Sequence, residues 1–274
     1  ASLLYLSTVA GMKKIFLTGA SSGIGRATAE LLVSRGHEVW GTSRDITRLA
    51  QLERLHPIRL DLADARSIET AFNDALREAG TFDVLINNAG SGFFGTAESL
   101  PMHELQKQFQ TLVFGHIDLC HRALEVMRRS GRGLIINVTS LVAELPVPFM
   151  ACYNAAKSAM ASYTMSLQLE LATSNIRVVD LQPGDINTAF NDAVLTTGMD
   201  DPRVAQAFRV SDANMKKAPK PEFVARRIAD LVEAPNPPPR VIVGDVFQTK
   251  IAPLIDRLLP QRLRIWGLRQ YYKI

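Results

Sequence analysis

Short apolar runs alternate with longer helical patterns along this chain, and this alternation constrains its fold more than any other feature. Lys14 to Thr18 is an apolar run, a glycine-rich turn follows it, and Ile24 to Ser34 has helical periodicity. The later predicted strands are Val39 to Thr42, Ile58 to Leu60, Val84 to Ile86, Leu134 to Val138, Val178 to Leu181 and Arg240 to Val243. The later predicted helices are Arg66 to Glu78, Leu105 to Arg129 and Ala151 to Thr173. This order indicates an α/β fold with a parallel sheet covered by helices on both faces.

The length and the punctuation of the chain favour one domain. It has 274 residues, a size that α/β folds reach as a single unit. Met12 resembles a natural start, so we expect an N-terminal extension over 1–11 and one domain over 12–274. The extension has no positively charged beginning, which argues against a secretion signal.

Composition excludes several classes of protein. The net charge is +4 and no basic block lies before the last quarter of the chain, so we expect no nucleic-acid partner. Cys120 and Cys152 are too few for a disulfide framework and fit no zinc site, which favours a reducing, cytoplasmic location. The five histidines lack metal-ligand spacing, so we assign no metal. No apolar run approaches the ~18 residues that span a bilayer.

Tyr153 and Lys157 lie four residues apart and share one face of a predicted helix. A neighbouring ammonium favours the phenolate, so we expect the pKa of Tyr153 to fall below its usual value towards one suited to proton transfer. Taken alone, this spacing is also typical of a solvated surface pair.

A glycine-rich turn lies between the first strand and the first helix. Gly19, Gly23 and Gly25 have the spacing G-x-x-x-G-x-G. Such a turn lets the backbone approach a pyrophosphate, and the helix N-terminus stabilises its charge. By itself the pattern also fits a simple tight turn.

Four motifs occur in the order found in one family. They are Thr18 to Gly25, Asn87-Asn88-Ala89-Gly90, Ser140, and Tyr153 with Lys157; Pro183-Gly184 followed by Thr188 matches a late cofactor motif. Together they resemble the short-chain dehydrogenase/reductase family from about Lys13 to the C-terminus.

The resemblance implies a doubly wound Rossmann-type sheet and hydride exchange between NAD(P)(H) and a carbonyl or alcohol, that is, action on CH–OH donors. It implies that Tyr153 is the general acid/base, that Lys157 holds the nicotinamide ribose, and that Ser140 hydrogen-bonds the substrate oxygen. A capping serine is the alternative for Ser140. The implied cofactor-binding positions are Gly19, Ser21, Ser22, Gly23, Ile24, Gly25, Ser43, Arg44, Asp61, Leu62, Asn88, Ala89, Gly90, Tyr153, Lys157, Pro183, Gly184, Ile186 and Thr188.

One position departs from the family pattern. The family usually has an Asn in the long middle helix that helps to hold a water in the proton relay, and Leu112 stands there in this chain. We hypothesise that the relay runs through backbone carbonyls, Thr111 or His116, or that activity is low. Alternatively, only the backbone carbonyl geometry matters at this position.

The end of the second strand predicts the cofactor. An acidic residue there would bind the ribose hydroxyls and repel a 2′-phosphate, but this chain has Ser43 followed by Arg44. A guanidinium can pair with a 2′-phosphate, so we expect NADP(H) to be preferred, with NAD(H) as the alternative. Asp45 could compete for that charge, and an unliganded surface Arg is the other interpretation.

The loops that follow the strands are largely apolar and predict a small-molecule substrate that is a hydrophobic or bulky carbonyl or alcohol rather than a sugar or a charged acid. The candidate substrate residues are Phe93, Phe94, Leu141, Val142, Phe149 and Phe190. Packing beneath the loops is the alternative for these residues. The segment 190–221 is polar and long enough to form a flexible lid.

The tail, 246–274, is basic, and leucine, isoleucine and tryptophan lie between its charges. Its cations are Lys250, Arg257, Arg262, Arg264, Arg269 and Lys273. With Leu259-Pro260 in its middle, it resembles the ends of retinol- and 17β-hydroxysteroid-dehydrogenase-like family members. A basic amphipathic helix can lie on an anionic membrane, but packing on its own fold or on another subunit is the favoured interpretation.

The sequence thus favours an NADP(H)-dependent oxidoreductase acting on a hydrophobic ketone or secondary alcohol. The resemblance implies a homodimer or homotetramer. A nucleotide-binding sensor or scaffold without catalysis is the alternative, and Leu112 is its only support.

Overall fold

The fold is described by a computed structural model that covers residues 11–188, 190, 194–252, 254 and 258–274, with Lys250 described by its backbone alone. The predicted extension over 1–10, parts of the predicted lid (189, 191–193) and parts of the tail (253, 255–257, with Arg257 among them) lie outside the described residues.

A parallel sheet forms the centre of the molecule. In chain order the strands are β1 Lys14–Leu17, β2 Glu38–Ser43, β3 Leu55–Arg59, β4 Val84–Asn87, β5 Phe93–Phe94, β6 Gly133–Val138, β7 Ile176–Pro183, β8 Leu195–Thr196 and β9 Arg240–Val243. The main sheet has the order β3-β2-β1-β4-β6-β7-β9, and β5 pairs with β8 in a separate ribbon. All described pairings are parallel. This is the Rossmann-type sheet that the sequence predicts.

The helices cover both faces of the sheet. They are α1 Gly23–Ser34, α2 Ala65–Ala79, α3 Met102–Phe109, α4 Gly115–Ser130, α5 Ala151–Glu170, α6 Pro202–Lys217, α7 Pro221–Glu233 and α8 Gln261–Tyr272. Short helical turns cover Ile46–Arg48, Ala97–Ser99 and Leu141–Ala143, and wider π turns cover Gln110–Phe114 and Phe247–Ile251.

Alternation along β1 divides the core into two layers, since successive strand side chains point to opposite faces. Ile15 and Leu17 pack with α1 and α7. Phe16 packs on the other face against α2 and α4, with its ring centre 5.4 Å from that of Phe72. The two buried faces explain why the predicted strands are almost wholly apolar.

The strand order places the candidate site. From β1 the chain proceeds to β2 on one side and later to β4 on the other. A crevice opens at the carboxyl ends of strands where the order reverses in this way. The glycine-rich turn after β1 and Asn88 after β4 both lie at this crevice.

Several predicted boundaries differ from the structure. The predicted helix from Leu105 to Arg129 is three segments, because the π turn Gln110–Phe114 separates α3 from α4. The predicted strand from Ile58 to Leu60 lies earlier, as β3, because residues 55–59 are the ones that pair with β2. The predicted helix from Ala151 to Thr173 ends at Glu170.

Within the described residues, no helix has both the length and the apolar character needed to cross a membrane.

Candidate active site

A cavity of about 1090 Å³ begins at the crevice and extends beneath the C-terminal helix. Every predicted cofactor-binding position lies on its wall, and so does Ser140. These residues come from loops after β1, β2, β3, β4, β6 and β7 and from α5. The parallel topology therefore brings together the motifs that the sequence analysis identified.

The glycine-rich turn has a backbone that larger residues would disrupt. Gly19 has φ +72, and a Cβ atom there would lie 2.9 Å from the Cα of Ala89. A Cβ atom on Gly25 would lie 2.0 Å from the carbonyl oxygen of Gly19. The turn is thus packed directly onto the first turn of α1, and the side chain of Ser22 caps none of the amides of that helix.

Asn88 fixes the position of this turn. Its Nδ2 donates to the carbonyl oxygen of Thr18 at 2.9 Å, and the Thr18 hydroxyl oxygen accepts from the amides of Asn88 at 2.8 Å and Ala89 at 2.9 Å. Asn87 is buried and donates to Asn137 Oδ1 at 2.9 Å. The Asn-Asn-Ala-Gly motif therefore ties β4 to the turn after β1 and to β6.

At the end of β2, two arginines line the cavity together with one carboxylate, that of Asp45. Ser43, Arg44, Asp45 and Arg48 all lie on the wall there. The carboxylate of Asp45 accepts from the amide of Thr47 at 3.0 Å and from its hydroxyl at 2.7 Å, and these bonds lower the pKa of Asp45. Arg44 is exposed and makes no hydrogen bond or ion pair with another described residue.

Ser140, Tyr153 and Lys157 converge at one point of the wall. Ser140 accepts from the amide of Val142 at 3.2 Å, so its side chain also caps the short helical turn that follows. Its hydroxyl also donates to the carbonyl oxygen of Pro183 at 3.4 Å, and the Ser140 side chain acts to lower the pKa of Tyr153. Lys157 Nζ donates to the carbonyl oxygen of Val138 at 2.8 Å. Both interpretations of Ser140, cap and site residue, describe the same side chain.

Burial determines the charge state of this group. It raises the pKa of Tyr153 to about 12, and the Ser140 side chain only partly offsets this rise. It lowers the pKa of Lys157 to about 8, while the charge of Asp180 acts in the other direction. The expected fall in the pKa of Tyr153 is therefore not found in the chain alone, because loss of solvent on burial raises this pKa instead.

Leu112 is fully buried and packs with Val113, Ala156 and Met160. Its side chain offers nothing that could hold a water. Its carbonyl oxygen lies 3.3 Å from Nδ1 of His116, which is buried and whose pKa falls to about 3 because of that burial. His116 is therefore neutral. Thr111, the other residue considered for the relay, lies on the cavity wall.

The candidate substrate residues separate into two groups. Four line the cavity: Phe93, Leu141, Val142 and Phe190. Phe94 and Phe149 do not; they lie in the core behind the wall, with ring centres 6.3 Å apart. The packing alternative describes the place of both residues. Phe94 points to the opposite side of its strand from Phe93, and Phe149 packs against the cluster that contains Phe94.

One wall of the cavity consists of residues that were not predicted from the sequence. Its residues come from α3, α6, the turn Phe247–Ile251 and α8, and include Gln108, Met215, Phe247, Leu263, Leu268 and Tyr272. The apolar periodicity in 261–272 could have indicated that this helix has a buried face. It could not indicate which residues that face covers, because those contacts are distant in sequence. The predicted lid contains β8 and α6, and Ser211 of α6 lies on the cavity wall.

The residues present fit a dinucleotide. Uncapped amides at the start of α1 and a close-packed glycine turn suit a pyrophosphate. Two arginines lie at the end of β2, where the adenosine ribose would lie by the strand topology. No group of three or more His, Cys, Asp and Glu side chains that could hold a metal occurs in the part of the chain that the structure covers.

Comparisons with known proteins agree with this geometry. A family model described as short chain dehydrogenase matches residues 13–197. A 3-ketodihydrosphingosine reductase from Bacteroides thetaiotaomicron is 33% identical over 273 residues, covering 95% of this chain and 98% of that protein.

Solved structures agree as well. The crystal structure of a short-chain dehydrogenase from Streptomyces avermitilis is 28% identical, covers 96% of this chain and 98% of its own, and superposes with a TM-score of 0.81. A 3-ketoacyl-(acyl-carrier-protein) reductase from Brucella melitensis, complexed with NADH, is 26% identical, covers 85% of this chain and 96% of its own, and has a TM-score of 0.73. The ordered motifs, the sheet and the full-length relative agree: this chain is an oxidoreductase of the short-chain dehydrogenase/reductase family.

Proposed function

We propose that the protein reduces a hydrophobic ketone to a secondary alcohol with NADP(H), or catalyses the reverse oxidation. The convergence of Ser140, Tyr153 and Lys157 carries this proposal. They lie where the glycine-rich crevice meets an apolar arm of the same cavity. A carbonyl placed there would have a proton donor on one side and space for a nicotinamide on the other.

The cofactor, when bound, supplies a hydride to the carbonyl carbon. The phenol of Tyr153 donates its proton to the carbonyl oxygen, so that the hydride and the proton together give the alcohol. Because burial keeps the pKa of Tyr153 near 12, this proton is present at neutral pH. The hydroxyl of Ser140 holds the same oxygen by a hydrogen bond as its negative charge develops.

Lys157 supports this step by its charge and position. Its ammonium lies 5.8 Å from the centre of the Tyr153 ring and is held by the Val138 carbonyl. From there it is placed to bind the ribose hydroxyls of the cofactor. Its positive charge also favours the phenolate that remains after proton transfer.

The preference for NADP(H) is supported by the end of β2. Arg44 and Arg48 line the cavity and Ser43 stands where an acidic residue would repel a 2′-phosphate. The bonds from Asp45 to Thr47 hold that carboxylate in a turn. Two guanidinium groups at this rim favour the more negative cofactor.

The substrate class is supported by the apolar arm. Leu145, Val147, Met150 and Phe190 line it beside Tyr153, and the Phe190 ring centre lies 5.5 Å from that of Tyr153. The Bacteroides relative, matched over nearly its whole length, is named 3-ketodihydrosphingosine reductase. We therefore propose a long-chain or bulky ketone.

The test is NADPH oxidation, followed by its absorbance, with a panel of long-chain, steroidal and small polar ketones. The panel includes 3-ketodihydrosphingosine and a medium-chain 3-ketone that lacks the amine of 3-ketodihydrosphingosine. We expect the long apolar ketones to exceed the small polar ones by at least about tenfold in kcat/KM, a difference of about 1.4 kcal/mol. Equal turnover of all members would contradict the substrate class.

The alternative function is a nucleotide-binding sensor without catalysis, for which the buried Leu112 is the only support. Tight NADPH binding without turnover of any ketone would favour it. A dimer or tetramer, a cytoplasmic location, and the likeness of the tail to retinol- and 17β-hydroxysteroid-dehydrogenase-like members stay predictions.

A further inference from the structure

The C-terminal segment has two different faces. On α8, Leu263, Gly267, Leu268 and Tyr272 line the cavity. The hydroxyl of Tyr271 accepts from Asn214 of α6 at 2.9 Å. One face of the helix therefore packs on the chain's own fold, as the favoured interpretation of the sequence has it.

The opposite face of α8 is uncovered. Arg262, Ile265, Trp266 and Arg269 have the helical spacing of one face, and all four are exposed. Ile265 is 52% exposed and Trp266 63% exposed. Large apolar side chains between two arginines are unusual on a face that meets only water.

Exposed apolar side chains also occur in the residues that precede α8. Phe247, Ile251, Leu254 and Leu258 follow spacings of four, three and four residues, and each is between 44% and 74% exposed. We call these four, with Ile265 and Trp266, the tail face. Phe247 also lines the cavity, so the tail face reaches the cavity wall.

Charge is concentrated in the same segment. Residues 246–274 contain six Lys and Arg and one Asp, which is a formal charge of +5, whereas the whole chain has +4. The other residues therefore sum to −1. Arg262, Arg269 and Lys273 are exposed around the tail face.

We propose that the tail face docks on the surface of an anionic phospholipid bilayer. Apolar burial and attraction to anionic headgroups act together in such binding, and tryptophan favours the level of the headgroups. A second copy of the chain fits less well, because two segments of +5 would then face each other.

The position of the tail face gives docking a consequence for catalysis, and this clause alone rests on the proposed function. The helix whose outer face would contact the bilayer lines, on its inner face, the same cavity as the apolar arm. A long-chain ketone leaving the bilayer could then enter the cavity beside Phe247 and Leu263 without crossing water.

The test is co-sedimentation of the full chain with vesicles of phosphatidylcholine alone and with added phosphatidylglycerol. We expect at least about tenfold tighter binding to the anionic vesicles, since each cation near such a surface contributes severalfold. Raising the ionic strength should weaken it. Equal binding to both compositions, or to neither, would overturn the proposal.

Matched variants locate the surface. Arg262→Glu with Arg269→Glu should lose the anionic binding, and Ile265→Ser with Trp266→Ser should weaken it by at least about tenfold. The controls are Arg226→Glu with Arg227→Glu, and Phe223→Ser, on exposed positions of α7. If the binding of the control variants to anionic vesicles falls as far as that of the tail variants, the proposal is overturned. Circular dichroism and NADPH binding check that each variant folds.

Two further readouts separate the outcomes. Trp40 is buried and Trp266 exposed, so the fluorescence shift on vesicle binding should vanish in Trp266→Phe. Light scattering reports whether Ile265→Ser with Trp266→Ser changes the oligomer. If the wild type binds no vesicles and this double variant forms a smaller oligomer than the wild type, the tail face is a contact between two copies of the chain and the proposal is overturned. Because no substrate is present, failure here leaves the reductase proposal intact.

Discussion

The ammonium of Lys157 lies 5.8 Å from the centre of the Tyr153 ring, and it is directed to the carbonyl oxygen of Val138 at 2.8 Å. The charge thus lies beside the ring, while the Ser140 side chain acts to lower the pKa of the phenol. This arrangement leaves Tyr153 protonated and ready to act as an acid. It also leaves the Lys157 ammonium buried, and the effect of this buried charge on the free energy of unfolding can be measured.

Removing that cation should stabilise the fold at neutral pH. Burial lowers the pKa of Lys157 from 10.5 to about 8, so the folded state holds this proton less tightly than the unfolded state. The wild type therefore gains stability as pH rises from about 8 to 10.5 and lacks that gain below pH 8. We expect Lys157→Met to be more stable at pH 7 by about 2 kcal/mol, after about 1 kcal/mol is subtracted for the lost hydrogen bond.

Denaturant unfolding between pH 7 and pH 10.5 measures this difference, with exposed Lys220→Met as the control. The stability gain of Lys157→Met should shrink as pH rises, while the control stays flat. A less stable Lys157→Met at pH 7 would show that its charge is compensated in the fold.

Arg44 should determine cofactor preference. Removing a charge-assisted bond to a 2′-phosphate costs about 1.5–3 kcal/mol, so Arg44→Ala should lower kcat/KM for NADPH by at least about tenfold. The value for NADH should change little, and Arg77→Ala on α2 is the control. An equal loss of kcat/KM with NADPH and NADH would mean that Arg44 does not bind the 2′-phosphate.

Leu112→Asn should destabilise the protein. It places an amide among Val113, Ala156 and Met160, where the buried polar group costs about 1–3 kcal/mol and apolar packing is also lost. Leu112→Met, which keeps the volume, should cost less than about 1.5 kcal/mol. If Leu112→Asn folds and leaves turnover and its pH profile unchanged, the hypothesis of a rerouted relay is wrong.

Gly25→Ala should weaken nucleotide binding. The new Cβ atom would lie 2.0 Å from the Gly19 carbonyl oxygen, which is backbone, so the turn itself must move. We expect NADPH affinity to fall by at least about tenfold in fluorescence titration. Gly267→Ala, which meets nothing within 4 Å, is the control and should keep its affinity.

Much of the fold followed from the sequence because buried parallel strands are apolar throughout and short. The motifs could be placed near one another because the carboxyl ends of parallel strands meet at one edge. That inference needs only the order of elements, and it succeeded for Gly19, Asn88, Ser140 and Pro183.

Features set by distant packing could not be predicted. Which of Phe93 and Phe94 meets the cavity depends on the pairing of β5 with β8, about a hundred residues later in the chain. The π turn at Gln110–Phe114 has no residue signature in the chain. The pKa of Tyr153 depends on burial, which a helical spacing does not report.

The most direct test of the account is NADPH oxidation with a long-chain ketone by wild type and Tyr153→Phe, with NADPH binding measured in both. Loss of the proton donor should reduce kcat by about a hundredfold or more while NADPH binding stays within about threefold. Equal turnover by the two proteins would contradict the assignment of Tyr153 as the acid and with it the proposed mechanism.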